Sequence, residues 1–259
     1  MIVLAITNQK GGVGKTTTSV NLAAILGLQY KMRVLLVDLD QQGHASLSVG
    51  RRRNRDTPIY LLIKNEEARI KDHVEATPFG FDLVAGGAEA GMAEIYVNSG
   101  RERTDRLKLL LDDVVDNYDV VLLDCPGDLD SMVIMALNAA DSVLVPMTLE
   151  YLPADGLDLL SKTITRCQRD NAKLKIGGIF SIKSESNTRL AKSIKARIQE
   201  VFGDVYLETA VRRNVDLAEA PSFGEPGFVY SLDCAGVDDF KNLAKELFDK
   251  GVCHGQSAA

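Results

Sequence analysis

The residues best suited to chemistry in this 259-residue chain stand close to its start: Lys10-Gly11-Gly12-Val13-Gly14-Lys15-Thr16-Thr17. Glycines let backbone N–H groups turn inward around a polyphosphate, where a Cβ would block the approach. Lys15 has the reach to meet β- and γ-phosphates, and the Thr16 hydroxyl can ligate Mg²⁺. The apolar, β-branched run 2–6 before the loop reads as a strand, and the run 18–26 after it reads as a helix. A loop placed there opens onto a helix N-terminus, whose dipole favours an anion. Strand, glycine loop, Gly-Lys-Thr and helix together read as a phosphate-binding P-loop.

Lys10 is a second lysine in a loop that needs one. It lies at the loop's start, where its side chain would tend to point out of its own phosphate cradle. Two readings stand: a solvated cation beside a turn, or a charge that meets phosphate held by another subunit.

Three carboxylates fall where a P-loop protein would use them. Asp124 ends the apolar strand 119–124 and precedes Cys125-Pro126-Gly127. That fits an acid holding a Mg²⁺-bound water; the alternative is an N-cap or turn aspartate. Asp38 and Asp40 flank Leu39 at the end of strand 33–38, and period two puts them on one side if the strand stays extended.

The elements that must position these residues alternate. Strands are predicted at 2–7, 33–38, 81–85, 119–124, 142–147, 176–182 and 205–211, and helices at 15–29, 104–117, 130–140, 155–170, 187–202 and 237–250. Runs such as Val34-Leu35-Leu36-Val37 are apolar on both faces, as in a buried parallel sheet. The fold class is therefore α/β: a doubly wound, mostly parallel sheet with helices on both faces and ligands at the carboxyl ends of its strands. The stretch 50–80 is least regular, with short helical pieces and an arginine run at 51–55. One domain is expected over 1–259, with 255–259 a disordered tail.

Composition sets bounds. Hydrophobic residues make up 46% and charged residues 25%, ordinary for a globular protein. No apolar run reaches membrane-spanning length and no leader is evident, so the cytoplasm is the expected location. The four cysteines lack Cys-x-x-Cys spacing and the three histidines are dispersed, which points to reduced structural thiols and no Cys/His metal site. A net charge of -6 argues against a protein basic all over, though not against a local basic face.

Asn8-Gln9-Lys10-Gly11-Gly12-Val13-Gly14-Lys15-Thr16-Thr17-Thr18 resembles the deviant Walker A motif of the ParA/Soj/MinD ATPases. Residues 34–43 are similar to that family's switch strand and loop, and residues 118–126 to its Walker B strand. Arg213-Asn214-Val215 with Glu219-Ala220-Pro221-Ser222-Phe223-Gly224 is similar to a late segment of the ParA/Soj branch. The likeness runs in order through nearly the whole chain. It implies ATP and Mg²⁺ as ligands, with Thr16, Asp38 and Asp124 around the metal and Asp40 orienting the attacking water. Catalysis would rest on Lys10, Lys15 and Asp40, with Lys10 donated across a face-to-face homodimer. The nucleotide would lie on residues 10–17, with Arg213 and Asn214 near adenine.

The resemblance also implies weak ATP hydrolysis stimulated by a partner, ATP-dependent binding of non-specific DNA, and a nucleoid-associated role in plasmid or chromosome partition or cargo positioning. A ParB-like centromere-binding or cargo-adaptor protein would be the partner. Lys183, Arg189, Lys192, Lys195, Arg197 and Arg212 are the DNA-binding candidates; an ordinary solvated face is the alternative. Gln41 and Gly127 replace prolines common in relatives, and Asp128 and Asp130 add negative charge nearby, which bears on switch geometry. Two other functions fit less well. A MinD-like membrane cycle needs a basic amphipathic C-terminal helix, whereas the stripe Phe240, Leu243, Ala244, Leu247 and Phe248 has acidic neighbours and suits core docking. A metabolic P-loop ligase needs a substrate pocket with no evident sequence signal, and an iron–sulfur reductase subunit needs bridging cysteines.

Overall fold

The structure, a computed structural model, describes residues 1–51, 58–87, 104–128, 131–149, 153–182 and 188–254. Its strands are β1 (Ile2–Ile6), β2 (Val34–Asp38), β3 (Glu75–Ala76), β4 (Asp82–Val84), β5 (Val120–Asp124), β6 (Ser142–Met147) and β7 (Lys175–Ser181). Its α-helices are α1 (Lys15–Leu28), α2 (His44–Ser48), α3 (Pro58–Lys64), α4 (Arg106–Asp112), α5 (Ser131–Ala139), α6 (Pro153–Cys167), α7 (Arg189–Phe202), α8 (Val215–Glu219), α9 (Gly227–Tyr230) and α10 (Ala235–Asp249).

The described strands form one sheet in the order β3-β4-β2-β5-β1-β6-β7. Every pairing is parallel except the short edge pair β3–β4. Alternate residues of the central strands feed two cores. Val3, Ala5, Leu35, Val37, Val121 and Leu123 join the core packed by α3, α4, α5 and α6. Leu4, Ile6, Leu36 and Leu122 join the core packed by α1 and α10. Each fully buried Leu, Ile or Val contributes about 1.5–3 kcal/mol relative to exposure, so this double burial fixes strand register firmly. Register aligns Ile6, Asp38 and Asp124 at the carboxyl ends of β1, β2 and β5. Successive connections diverge at β1, with β5 on one side and β6 on the other, and that is where ligands bind in open α/β sheets.

Most expected elements lie within a few residues of their predicted spans. The strand expected at 205–211 does not form. Only Tyr206 and Val211 bridge to β7 and its end, through Ile179 and Ile182. The reason is competition from α10: the Glu246 carboxylate accepts from the N–H groups of Glu208 and Thr209, both at 2.9 Å, and takes donors a strand would use. The helix expected at 104–117 is α-helical only over Arg106–Asp112 and continues as turns. The stripe on α10 is buried: Phe240, Leu243, Ala244 and Leu247 are fully enclosed, with Phe248 packed against the same core. Among the described residues no helix is long and apolar enough to cross a membrane. All four cysteines are buried free thiols. Lys183, Arg52, Arg53, Arg55, Asp130 and the tail 255–259 lie outside the described residues.

Candidate functional site

The loop after β1 is shaped by two left-handed glycines, Gly12 (φ 73°) and Gly14 (φ 79°). Gly14 caps α1, and a Cβ there would sit 2.6 Å from Ile182 Cδ1, so both backbone and space require glycine. Asn8 anchors the loop's base. Its side-chain amide donates to the Pro146 carbonyl (2.8 Å), and its Oδ1 accepts from Lys10 N–H (3.0 Å). The two lysines have different surroundings. Lys15 is buried, its amine 3.4 Å from the Lys10 carbonyl inside the loop. Lys10 stands at the exposed rim, its amine 3.4 Å from Thr148 Oγ1 beyond the end of β6.

At the floor, the Thr16 hydroxyl donates to Asp124 Oδ2 (2.8 Å) and the Ser19 hydroxyl reaches Asp124 Oδ1 (2.7 Å). Thr16 and Ser19 are three apart on α1, so they share the face turned to β5. Burial pushes the Asp124 carboxyl well above the usual carboxylate range, the nearby Asp38 pushes it further, and the two hydroxyls oppose the shift. A hydroxyl and a carboxylate oxygen beside a lysine-bearing loop are hard donors, the set that suits Mg²⁺ when it also takes phosphate oxygens and water.

Asp38 and Asp40 do not share one environment. β2 stops at Asp38, and its carboxylate turns to α2, accepting from Ser46 N–H (2.8 Å), Ser46 Oγ (2.7 Å) and Asp40 N–H (3.1 Å). Burial raises its pKa, with those donors opposing. Asp40 instead belongs to a turn closed by Gly43 N–H on its carbonyl (2.9 Å), and its Oδ1 accepts from Gln42 N–H (2.8 Å). Its other oxygen lies 3.9 Å from His44 Nδ1. Thus Asp38 holds the loop that carries Asp40. Gly127 lies beside the P-loop, where a Cβ would meet the Lys15 amine at 3.7 Å.

A cleft of about 450 Å³ runs along the loop from Lys10, Gly11, Gly12, Val13 and Thr17 to a wall of Ile182, Val211, Arg213, Asn214 and Leu217. Asn214 is on that wall because its Oδ1 caps α8 by accepting from Leu217 N–H (3.1 Å). Arg213 and Asn214 therefore line the P-loop cleft.

The expected DNA-binding cations differ in their surroundings. The Arg212 guanidinium is paired with the buried Asp239 through Nε (2.7 Å) and Nη2 (2.8 Å). Lys195 is paired with Glu208 (2.9 Å) and Arg197 with Glu200 (2.7 Å). Arg189 and Lys192 are exposed on α7. Four residues without a role in the sequence motifs help build the site: Asn8, Ser19, Ser46 and Thr148. Ser19 carried a signal in its spacing from Thr16, and Asn8 in being two before Lys10, where an Asx turn can form. Ser46 and Thr148 carried none.

Sheet order, loop and buried acids define a class: a P-loop nucleoside-triphosphatase of the doubly wound α/β type. Residues 1–176 match the AAA domain family model AAA_31. The chain is 38% identical over 251 residues to the sporulation initiation inhibitor protein Soj of Bacillus subtilis, covering 96% of this chain and 99% of that one. It is 36% identical over 252 residues to the chromosome partitioning protein ParA of Caulobacter vibrioides, covering 96% and 94%. It also superposes on cobyrinic acid a,c-diamide synthase of Mycobacterium smegmatis, solved with an ATP analogue and magnesium (TM-score 0.83, 25% identity, 100% of both chains). The chain belongs to the ParA/Soj family of partition ATPases.

Proposed function

We propose that this chain, read as one ATPase domain over 1–259, binds ATP with Mg²⁺, dimerises on it, engages DNA without sequence preference, and is reset by partner-stimulated hydrolysis. The observation that carries this reading is the division between two lysines: Lys15 buried within its own loop, Lys10 at the exposed rim. Lys15 is placed for its own phosphates. Lys10 would add charge to phosphates held by a facing copy, which would make turnover depend on dimerisation. Relatives named for chromosome partitioning support the biological direction, and a ParB-like protein is the partner class that the family resemblance implies.

Thr16 and Asp124 would hold Mg²⁺, Asp124 through a bound water, and the ion would supply charge neutralisation across the β- and γ-oxygens. Asp40 would orient the attacking water, while Asp38 positions Asp40 through the loop and Ser46. Arg213 and Asn214 would border the base. Co-sedimentation with non-specific DNA tests the cycle: ATP should support binding and ADP should not. Binding that ignores the nucleotide, or no binding at all, rejects it.

A further inference from the structure

Asn21 is a polar residue in the middle of α1, only 3% exposed. A helix interior gains little from asparagine, whose amide competes with backbone bonds. A buried amide also costs free energy unless its groups are paired. Here both ends are paired. Nδ2 donates to the Thr17 carbonyl one turn back (2.8 Å), and Oδ1 accepts from Phe228 N–H (2.9 Å) across 207 positions of sequence. The amide has one workable orientation, because the Phe228 N–H only donates and the Thr17 carbonyl only accepts.

The two partners serve different parts of the nucleotide cleft. Thr17 lines it beside the P-loop, while Asn214 and Leu217 line the facing wall. Phe228 belongs to α9, which backs that wall. A Cβ on Gly227 would fall 2.4 Å from Leu217 Cδ2 and 3.0 Å from Asn21 Oδ1. Gly236 of α10 closes on the same residues, its Cβ position lying 2.5 Å from Leu217 Cδ1 and 2.8 Å from Asn214 Cβ. Leu217 is thus clasped between two glycines where a side chain would intrude. Packing this close leaves little play, so a shift of α9 relative to α1 carries the wall with it.

We infer that Asn21 is a positioning residue for the nucleobase: its amide fixes the spacing between the phosphate loop and the wall of Arg213, Asn214 and Leu217, so that base and triphosphate are gripped at once. This rests on the reading that Arg213 and Asn214 border the base, and adds what sets their distance from the loop. A nucleotide that spans both parts of the cleft feels that spacing. A bare triphosphate, held by the loop alone, does not.

The test titrates the full chain calorimetrically, in Mg²⁺, with ATP and with inorganic tripolyphosphate. Wild type should bind ATP at least about tenfold more tightly than tripolyphosphate, the base supplying the difference. Asn21→Ala leaves the Phe228 N–H without its acceptor and unties α9 from α1, while alanine keeps α1 helical. It should weaken ATP about tenfold and leave tripolyphosphate within about twofold. Gly227→Ala disturbs the same joint from the other side and should produce the same split with the Asn21 side chain still present. A parallel fall of both ligands in both variants would make Asn21 a support of α1 as a whole and overturns the inference. An ATP preference kept at wild-type strength in Asn21→Ala also overturns it, and leaves the base wall standing. Wild type that binds the two ligands alike rejects the base wall itself, and the inference falls with it.

Discussion

The Thr16 hydroxyl donates to Asp124 Oδ2 at 2.8 Å, joining the end of the phosphate loop to the end of β5 across 108 positions of sequence. Asp124 is in register with Asp38 on the adjoining strand, so two fully buried carboxylates stand side by side at the floor of the site. Among the described residues each is held by hydroxyl or backbone donors and not by a cation. Such a pair favours keeping a proton until a cation arrives.

The first expectation concerns pH. Both carboxyls have folded-state pKa values above the unfolded value of 3.8, Asp38 at about 6 and Asp124 at about 7. The folded protein thus binds more protons than the unfolded chain between about pH 4 and 7, and these groups remove stability as pH rises through that window. Asp124→Asn, which cannot ionise, should melt higher than wild type at pH 7.5 without nucleotide and should lose that advantage near pH 4. Thermal melts of the two proteins across pH decide it; a difference constant with pH sinks the assignment.

Asp40→Ala should retain nucleotide binding and lose turnover. Among the described residues the Asp40 carboxylate bonds within its own turn and lies near His44, so its removal should leave the P-loop intact. A fall in phosphate release of about 100-fold or more is expected for loss of a water-orienting base. Turnover within a few-fold of wild type would remove Asp40 from the mechanism.

The two lysines should separate binding from assembly. Lys15→Ala should abolish fluorescent-ATP binding. Lys10→Ala should bind ATP yet remain monomeric in sedimentation, where Asp40→Ala accumulates as dimer. If Lys10→Ala dimerises normally with ATP, the cross-subunit role of Lys10 fails.

What the sequence made legible follows from range. The strands and the P-loop could be read because period-two apolar runs and the Gly-Lys-Thr spacing are local patterns, and Val34-Leu35-Leu36-Val37 is buried on both faces as its composition required. Several departures come from contacts outside the local pattern. Glu246 takes the N–H groups of Glu208 and Thr209 and dissolves an apparent strand. Asp239, 27 residues away, pairs with the exposed Arg212 guanidinium, a contact that charge pattern alone does not reveal. A spacing of two puts Asp38 and Asp40 on one side of an extended strand, but Ser46 draws the Asp38 carboxylate to α2, which that spacing does not reveal.

Packing gives a fourth expectation, in which propensity and sterics oppose each other. Gly27 lies inside α1, where alanine would ordinarily gain about 1 kcal/mol of helix propensity. Its Cβ, however, would fall 1.8 Å from the Gly80 carbonyl oxygen, which is backbone. Separating α1 from the turn before β4 should outweigh the gain, with a net loss of about 1–2 kcal/mol. Gly27→Ala should therefore lower the urea midpoint; a raised midpoint shows that the turn yields freely.

The basic surface can be divided by the salt dependence of DNA binding. Arg189 and Lys192 are exposed and three apart on α7, hence on one face, and no carboxylate pairs with them among the described residues. Removing one cation that neutralises a phosphate should flatten the slope of log affinity against log salt by about 0.9. Arg189→Ala and Lys192→Ala should each produce that change with an unaltered melting temperature. Arg212→Ala should do the reverse, because it leaves the buried Asp239 carboxylate without its guanidinium and removes a cation that is 61% exposed but already neutralised by that carboxylate. Its melting temperature should fall and its salt slope should stay. A flattened slope in Arg212→Ala with no thermal effect would mean that the Asp239 pair opens on DNA, and the basic face would then have to be drawn around Arg212 after all.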